Sequence, residues 1–249
     1  MGGSDRPVAL VTGSTSGIGA AVARRLAAEG HAVALHSRAS AAAGEALAAE
    51  LGQGASYTAA DLATDEGPAA LVRTVLARHG RLDVLINSAG ITATVPHADL
   101  KGATAEIWRR LHQVNVIAPW LLVAEAEAAL REAAGRGRPA AVVNIGSHAG
   151  TRPKGASIPY AASKAALHHM TRLLAKTLAP AIRVNAVAPG LVDTPMTASW
   201  VEAQRLWAEG SPMRRAARPE DVADLVFSLV RSDYVTGEVV MLDGGLNLM

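Results

Sequence analysis

The chain contains no cysteine, which removes disulfides, thiolate metal sites and a cysteine nucleophile together. Aromatic residues make up only 3% and the formal net charge is +2, so the stacking platforms and basic stripe of a nucleic-acid surface are missing. Long apolar runs are missing too. The longest candidate, Val116 to Ala124, is interrupted by Pro119 and falls far short of a membrane span. The chain starts MGGSDRP, polar and without the apolar core of a signal peptide. No nucleic acid, no membrane and a cytoplasmic location are therefore expected. The eight histidines form no His-x-x-x-His or His-Glu-x-x-His pair. Adjacent His168 and His169 would point about 100° apart on a helix, so no metal site is expected.

What is present is an apolar half of 249 residues, enough for one substantial domain spanning 1–249. Strand-like apolar runs (Val8–Val11, Ala32–Leu35, Ala55–Ala59, Leu82–Ile86, Ala140–Ile145, Ile182–Val187, Glu238–Leu242) alternate with helical stretches rich in Ala and Leu. The helical stretches are Ile18–Ala28, Ala41–Leu51, Pro68–Arg78, Thr104–Ala134, one from Tyr160 to about Ala179, and Pro219–Val230. Such alternation predicts βαβ units, and so an α/β fold with a parallel sheet covered by helices on both faces.

Two stretches carry chemistry. After the first strand comes Thr12-Gly13-Ser14-Thr15-Ser16-Gly17-Ile18-Gly19. Its glycines let the backbone turn tightly and approach a pyrophosphate, which then sits on the N-terminus of the next helix. The second stretch runs from Val142 to Lys164. A strand breaks at Gly146-Ser147, a Gly/Pro-rich loop follows, and Ser157 stands as N-cap of a helix with Pro159 in its first turn. Tyr160 and Lys164 are four apart and share one helix face. A fixed ammonium there should pull the phenol down from its ordinary value near 10 toward the working range. Ser147, Tyr160 and Lys164 thus form a candidate site for proton transfer at a carbonyl oxygen.

The order and spacing of Thr12 to Gly19, Asn87-Ser88-Ala89-Gly90, Asn115, Ser147, Tyr160-x-x-x-Lys164 and Pro189-Gly190 resemble the short-chain dehydrogenase/reductase family over essentially the whole chain. The resemblance implies a single-domain, Rossmann-like, doubly wound sheet of about seven parallel strands. It also implies a nicotinamide cofactor and hydride transfer between a carbonyl and an alcohol carbon. By motif, Tyr160 would be the acid/base, Lys164 would tune it and hold the nicotinamide ribose, Ser147 would orient the carbonyl, and Asn115 would help hold a relay water. Gly13, Ser14, Thr15, Ser16, Gly17, Ile18 and Gly19 would cradle the pyrophosphate. Asp61 and Leu62 would meet the adenine; Asn87, Ala89, Gly90, Pro189, Gly190, Val192 and Thr194 would meet the rest of the cofactor. Ser88 stands where the family usually has a second Asn.

The family's NAD-preferring members carry Asp where this chain has Ser37, and Arg38 follows directly. A phosphate is attracted there and nothing repels it, so NADP(H) is the expected cofactor, with NAD(H) possible. The segment 191–213 would form a substrate lid, with Met196, Trp200, Trp207 and Met213 either walling an apolar pocket or packing the lid to the body or to another subunit, and with His148 lining the pocket entrance. The C-terminal half, with Val235-Thr236-Gly237 and Asp243-Gly244-Gly245, resembles 3-oxoacyl-[acyl-carrier-protein] reductases. The loop before strand six lacks that subgroup's basic residue, leaving Arg136 and Arg138 for the other expected carrier patch. The run Tyr160 to Leu167 with His169 to Arg172 also resembles pteridine-reducing members. A non-catalytic NADP-sensing regulator is a third reading, which intact Tyr160 and Lys164 disfavour. Apolar residues on several faces of 104–134 and of the helix after Tyr160, such as Leu121, Leu122, Leu173 and Leu174, match helices the family pairs across a two-fold axis. A homotetramer acting on a small-molecule carbonyl or alcohol is the resulting expectation.

Overall fold

The computed structural model describes residues 6–248; the polar start at 1–5 lies outside them. Among the described residues, seven strands form one parallel sheet: β1 (Val8–Val11), β2 (Ala32–Ser37), β3 (Ser56–Ala59), β4 (Val84–Asn87), β5 (Ala140–Ile145), β6 (Ile182–Pro189) and β7 (Val239–Leu242). Their order is β3-β2-β1-β4-β5-β6-β7. Every residue of β1, β2, β4, β5 and β6 is buried, as expected for strands covered on both faces, which read as continuous apolar runs.

The helices are α1 (Gly17–Ala28), α2 (Ala41–Leu51), α3 (Glu66–His79), α4 (Ala105–His112), α5 (Ala118–Ala134), α6 (Ile158–Leu178), α7 (Val201–Gly210) and α8 (Pro219–Arg231). Successive side chains of β1 go to opposite layers, as the period of two requires. Ala9 and Val11 join Val22 and Leu26 of α1 and Val226 and Phe227 of α8. Val8 and Leu10 join Leu71 and Val75 of α3, Leu122 and Leu130 of α5, and Leu174 and Leu178 of α6. Each of these Val, Leu and Phe side chains, fully buried, is worth about 1.5–3 kcal/mol, so the two layers hold the sheet between them. The chain leaves β3 at one edge and restarts at β4 beside β1. That reversal opens a crevice at the carboxyl ends of β1 and β4, where doubly wound folds bind ligands.

Three departures from the expected elements matter for the site. The long helical region is not one α-helix: Gln113–Ile117 forms a π turn between α4 and α5. Pro119 has no N–H to give the Asn115 carbonyl, so a regular α turn cannot run through this point. β2 and β6 extend to Ser37 and Pro189, two residues beyond the apolar runs: His36 and Ser37 pair with β3, and Ala188 and Pro189 with β7. And the segment 191–213 contains α7, whose side chains are all at least partly exposed.

Candidate active site

The glycine loop is held from three sides. Gly13 has φ +63°, and a Cβ there would stand 2.8 Å from the Ala89 Cα; a Cβ on Gly19 would stand 2.2 Å from the Gly13 carbonyl oxygen. Only glycine lets the loop close down this tightly. The Thr12 hydroxyl accepts from the Ser88 and Ala89 amides at 3.0 Å each, tying the loop to the end of β4. On the other side the Ser14 amide donates to the His36 carbonyl at 2.9 Å, and the Ser14 hydroxyl accepts from the His36 amide at 2.8 Å. The His36 ring is clamped as well. The Gly13 amide donates to its Nδ1 at 3.2 Å, and Nε2 pairs with the Ala60 carbonyl at 3.0 Å. A donor on one nitrogen and an acceptor on the other fixes a neutral ring with its proton on Nε2. Burial, the largest influence, also lowers the His36 pKa.

Ser16 is the N-cap of α1 but makes no side-chain cap bond. The first amides of α1 are thus left for a ligand, as an anion at a helix N-terminus would need. Gly17 faces Thr194, whose Cγ2 would lie 3.2 Å from an added Cβ, so the glycine loop and the segment after β6 meet here. Pro189 and Gly190 end β6, and Val192 is buried and bridged to Ala217. At the far end Ser37 is buried. Its Oγ accepts from the Ser40 amide at 3.0 Å and lies 2.8 Å from the Tyr57 hydroxyl. The Tyr57 ring in turn covers Gly44, where a Cβ would fall 2.1 Å from a ring carbon. Arg38 is exposed and has no ion-pair partner among the described residues. Asp61 is exposed, its Oδ1 accepting from the Ala63 amide at 2.9 Å, and Leu62 is buried beside it.

The proton-transfer candidates meet on α6 and β5. Ser157 caps α6 by accepting from the Tyr160 amide at 3.3 Å. Ser147 begins a short 3-10 turn two residues after β5, its Oγ accepting from the Ala149 amide at 3.2 Å. Its amide donates to Nε2 of buried His168 at 3.4 Å. Lys164 is buried, donates to the Ile145 carbonyl at 2.8 Å, and its Nζ lies 6.0 Å from the centre of the Tyr160 ring. Buried Asn115 donates to the Ile91 carbonyl at 3.0 Å and to the Ser163 hydroxyl at 3.1 Å, while its Oδ1 accepts from the Ile91 amide. A methyl on Gly90 would stand 3.4 Å from Asn115 Oδ1 and 3.5 Å from Lys164 Nζ. The π turn therefore sets Asn115 beside Lys164, on the floor of the crevice. Asn87 turns elsewhere: its Nδ2 donates to Asn144 at 2.8 Å, and Asn144 donates to Thr171 at 2.9 Å. That ladder pins β4, β5 and α6 together beneath the site.

The electrostatics correct one expectation. Burial raises the Tyr160 phenol above its ordinary value, with the hydrogen-bonding Ser147 pulling the other way. Burial also pulls Lys164 down to about 8. Desolvation disfavours the charged form of both groups, and the lysine does not offset it across 6.0 Å. The phenol is held protonated, the form that can give a proton away.

Above these groups lies a cleft of about 660 Å³, walled by apolar side chains that include Leu191, Met196, Trp200, Leu206 and Trp207. Ser147, His148, Tyr160 and Lys164 line its inner end, and Lys154 and Glu202 add charge elsewhere in its lining. Met213, expected in this wall, is not among the lining residues; it packs on Gly244 and its amide donates to the Gly244 carbonyl. Arg136 and Arg138, the expected carrier patch, stand away from the cleft. They lie before β5, paired with Glu132 and Asp233, whereas Ser147 follows it. Six residues of strand, roughly 20 Å, separate that patch from the site in the same chain. No group of three or more His, Asp or Glu residues among the described residues could hold a metal ion, and no helix is long and apolar enough to cross a membrane.

His36, Tyr57 and His168 were not singled out from the sequence for these roles. A lone histidine in a buried strand or helix carries no periodic signal; only its partners across the fold give it a role.

A glycine loop at the switch point of a doubly wound sheet, opening onto a Tyr/Lys/Ser/Asn cluster, defines a nicotinamide-dependent oxidoreductase. A family sequence model described as enoyl-(acyl carrier protein) reductase matches residues 13–247, and the chain belongs to the short-chain dehydrogenase/reductase family. It is 48% identical over 252 residues to a protein of Streptomyces violaceoruber named as a ketoacyl reductase of the granaticin polyketide synthase, covering 98% of each chain. Among solved structures, it superposes on a 3-ketoacyl-(acyl-carrier-protein) reductase of Brucella melitensis complexed with NADH, with a TM-score of 0.88 and 31% identity over 96% of this chain and 98% of that one. A Pseudomonas aeruginosa RhlG/NADP complex gives a TM-score of 0.89 and 33% identity over 99% of each chain. The protein is accordingly an oxidoreductase of the kind that interconverts carbonyl and alcohol with a nicotinamide cofactor.

Proposed function

We propose that the protein reduces a ketone on a bulky, largely apolar body to the alcohol, with NADPH as the cofactor. The observation that carries this is the meeting of Ser147, Tyr160 and Lys164 in the lining of a large apolar cleft beside the start of α1, with Asn115 Oδ1 and Lys164 Nζ both next to Gly90. The cofactor fits the residues present: the uncapped start of α1, presented by the tight turn that Gly13 and Gly19 allow, suits a pyrophosphate. When bound, the nicotinamide supplies a hydride to the carbonyl carbon. The chain supplies the rest. Ser147 and Tyr160 donate hydrogen bonds to the carbonyl oxygen, where negative charge develops, and Tyr160 gives that oxygen its proton. Lys164 spends one donor on the Ile145 carbonyl and keeps two for the nicotinamide ribose and a water. Asn115, fixed by Ile91 and Ser163, holds the backbone around that relay.

Preference for NADPH rests on Ser37 and Arg38. The Ser37 oxygen has two lone pairs. The Ser40 amide donates to it, and when the Tyr57 hydroxyl donates as well, the Ser37 proton is left to donate outward, toward an anionic oxygen. Tyr57 is thus an indirect member of the phosphate site, and Arg38 is free to pair with the charge. The segment 191–213 acts as the substrate lid of a single-domain enzyme. Of the residues expected to pair these helices, Leu122 and Leu174 are buried in the chain's own core, while Leu173 is exposed together with Ile117 of the π turn and Trp120 of α5; these three support assembly through that face toward a homotetramer.

The test is NADPH oxidation with a panel containing a bicyclic aromatic ketone, a 3-oxoacyl thioester and a pterin. Turnover of the ketone is expected. Preferential reduction of the pterin would replace this reading with pteridine reduction, and tight NADPH binding with no turnover of any of them would make the protein a sensor.

A further inference from the structure

The cleft has one polar feature that proton transfer to the carbonyl does not use. His148 follows Ser147 directly, lines the cleft, and is only 4% exposed. Its Nε2 is buried without a hydrogen-bond partner. The nearest ionic group is Asp243, whose Oδ2 stands 3.5 Å away. Asp243 is itself fixed, Oδ1 accepting from the Gly245 amide at 3.0 Å and Oδ2 from the Asn247 amide at 2.8 Å. On its open side the imidazole meets Trp207 of α7 edge to face, ring centres 6.3 Å apart. A phenylalanine would pack against that tryptophan equally well, without leaving a buried nitrogen unpaired.

The surroundings decide which nitrogen carries the proton. Burial lowers the His148 pKa, with Lys154 and Arg152 acting in the same direction and Asp243 against. The ring is therefore neutral at pH 7, with a single N–H. A lone pair on Nε2 would face the Asp243 oxygen, so the proton sits on Nε2 and Nδ1 keeps the lone pair. Nδ1 has no hydrogen-bond partner among the described residues and is not enclosed with Nε2. Ser147, Tyr160 and Lys164 offer donors at the inner end of the cleft. His148 offers an acceptor.

We propose that His148 reads the substrate, Nδ1 accepting a hydrogen bond from a hydroxyl carried on the same bulky apolar body as the ketone. A second carbonyl or an ether cannot donate and gains nothing there. Asp243 is the positioning residue that holds the ring in this tautomer. The inference rests on the bulky-ketone reading above and names its substrate class as a hydroxy-ketone.

The experiment compares kcat/KM for 1-tetralone, its ring-hydroxylated isomers and their methyl ethers, in the native protein and in His148→Phe. At least one hydroxyl isomer should be preferred over its own methyl ether by about five- to tenfold, the worth of one hydrogen bond. In His148→Phe that ratio should collapse to about one. The ratio is internal to each protein, so a general loss of activity cancels, and NADPH titration checks that each variant is folded. If His148→Phe fails that check, His148→Gln, which keeps an acceptor, should retain part of the preference and His148→Leu none. A native protein with no hydroxyl preference, or a preference that survives in His148→Phe or His148→Leu, overturns the inference while leaving ketone reduction standing. Failure of the native protein to reduce any of these ketones, with NADPH still bound, overturns the bulky-ketone reading instead and this inference with it.

Discussion

The nucleotide half and the substrate half of this molecule are built differently. Around the glycine loop, Thr12, Ser14 and His36 join β1, β2, β3 and β4 through backbone-directed hydrogen bonds, and an added Cβ at Gly13 or Gly19 would strike backbone. The substrate wall is the reverse. In α7 no residue is buried, Val201 is 70% exposed and Leu206 is 47% exposed, and its anchor is Trp207 lying on Gly190. A pyrophosphate is the same in every dinucleotide, so its cradle can be rigid. The wall contacts what differs between substrates, and few interactions elsewhere depend on it.

The sharpest division is chemical. Tyr160→Phe keeps the ring and removes the proton, so kcat should fall by roughly 10²–10⁴ while the NADPH Kd stays within about twofold, read by steady-state kinetics and fluorescence titration. A similar loss in both quantities would break the division between the halves. Next comes acid. His36, His148 and His168 all have pKa values lowered chiefly by burial, His168 to about 4. The unfolded chain then binds more protons below its histidine value near 6.5. Stability should therefore be full above that pH and fall as pH drops from about 6.5 to about 4. The His168 share is on the order of 3 kcal/mol. Melting temperature against pH checks this, and His168→Gln should flatten the lower part of the slope. Protonating His36 also turns an acceptor of the Gly13 amide into a donor, so NADPH binding should weaken once the pH falls below the ordinary histidine range.

Smaller again is the cofactor preference. Arg38→Ala should weaken NADPH by about one to two decades, the worth of a charge-assisted pair, and leave NADH nearly unchanged. Ser37→Asp should invert the order. Equal catalytic efficiency with both cofactors in the native protein would remove the argument. Smallest is the effect of the lid on stability. Val201→Ser should change it by no more than about 0.5 kcal/mol while shifting KM for bulky ketones. A large drop in melting temperature would show that the wall is as integrated as the cradle.

How much of this the chain announces varies by element. Apolar runs such as Val8–Val11 and Ala140–Ile145 marked their strands because a strand buried on both faces has almost no alternative composition. The glycine loop and Tyr160-x-x-x-Lys164 were legible because both motifs depend on short spacing along one turn. The break in the helix at Asn115 was not, since Pro119 alone does not say whether a helix kinks, ends or widens. Nor was α7, whose short stripe of Ala203, Leu206 and Trp207 faces the cleft rather than a buried core.

Local sequence thus determined the alternating elements, the glycine turn, the Ser157 cap, and the shared face of Tyr160 and Lys164, all of which are decided within a few residues. Tertiary structure decided the rest, because electrostatics and hydrogen-bond partnership depend on burial and on neighbours far away in the chain. It set the phenol above rather than below its ordinary value. It placed Arg136 and Arg138 at the far end of β5 from Ser147. It also brought Asp243 from the last strand's end to within 3.5 Å of His148, where a carboxylate selects the tautomer that a substrate meets.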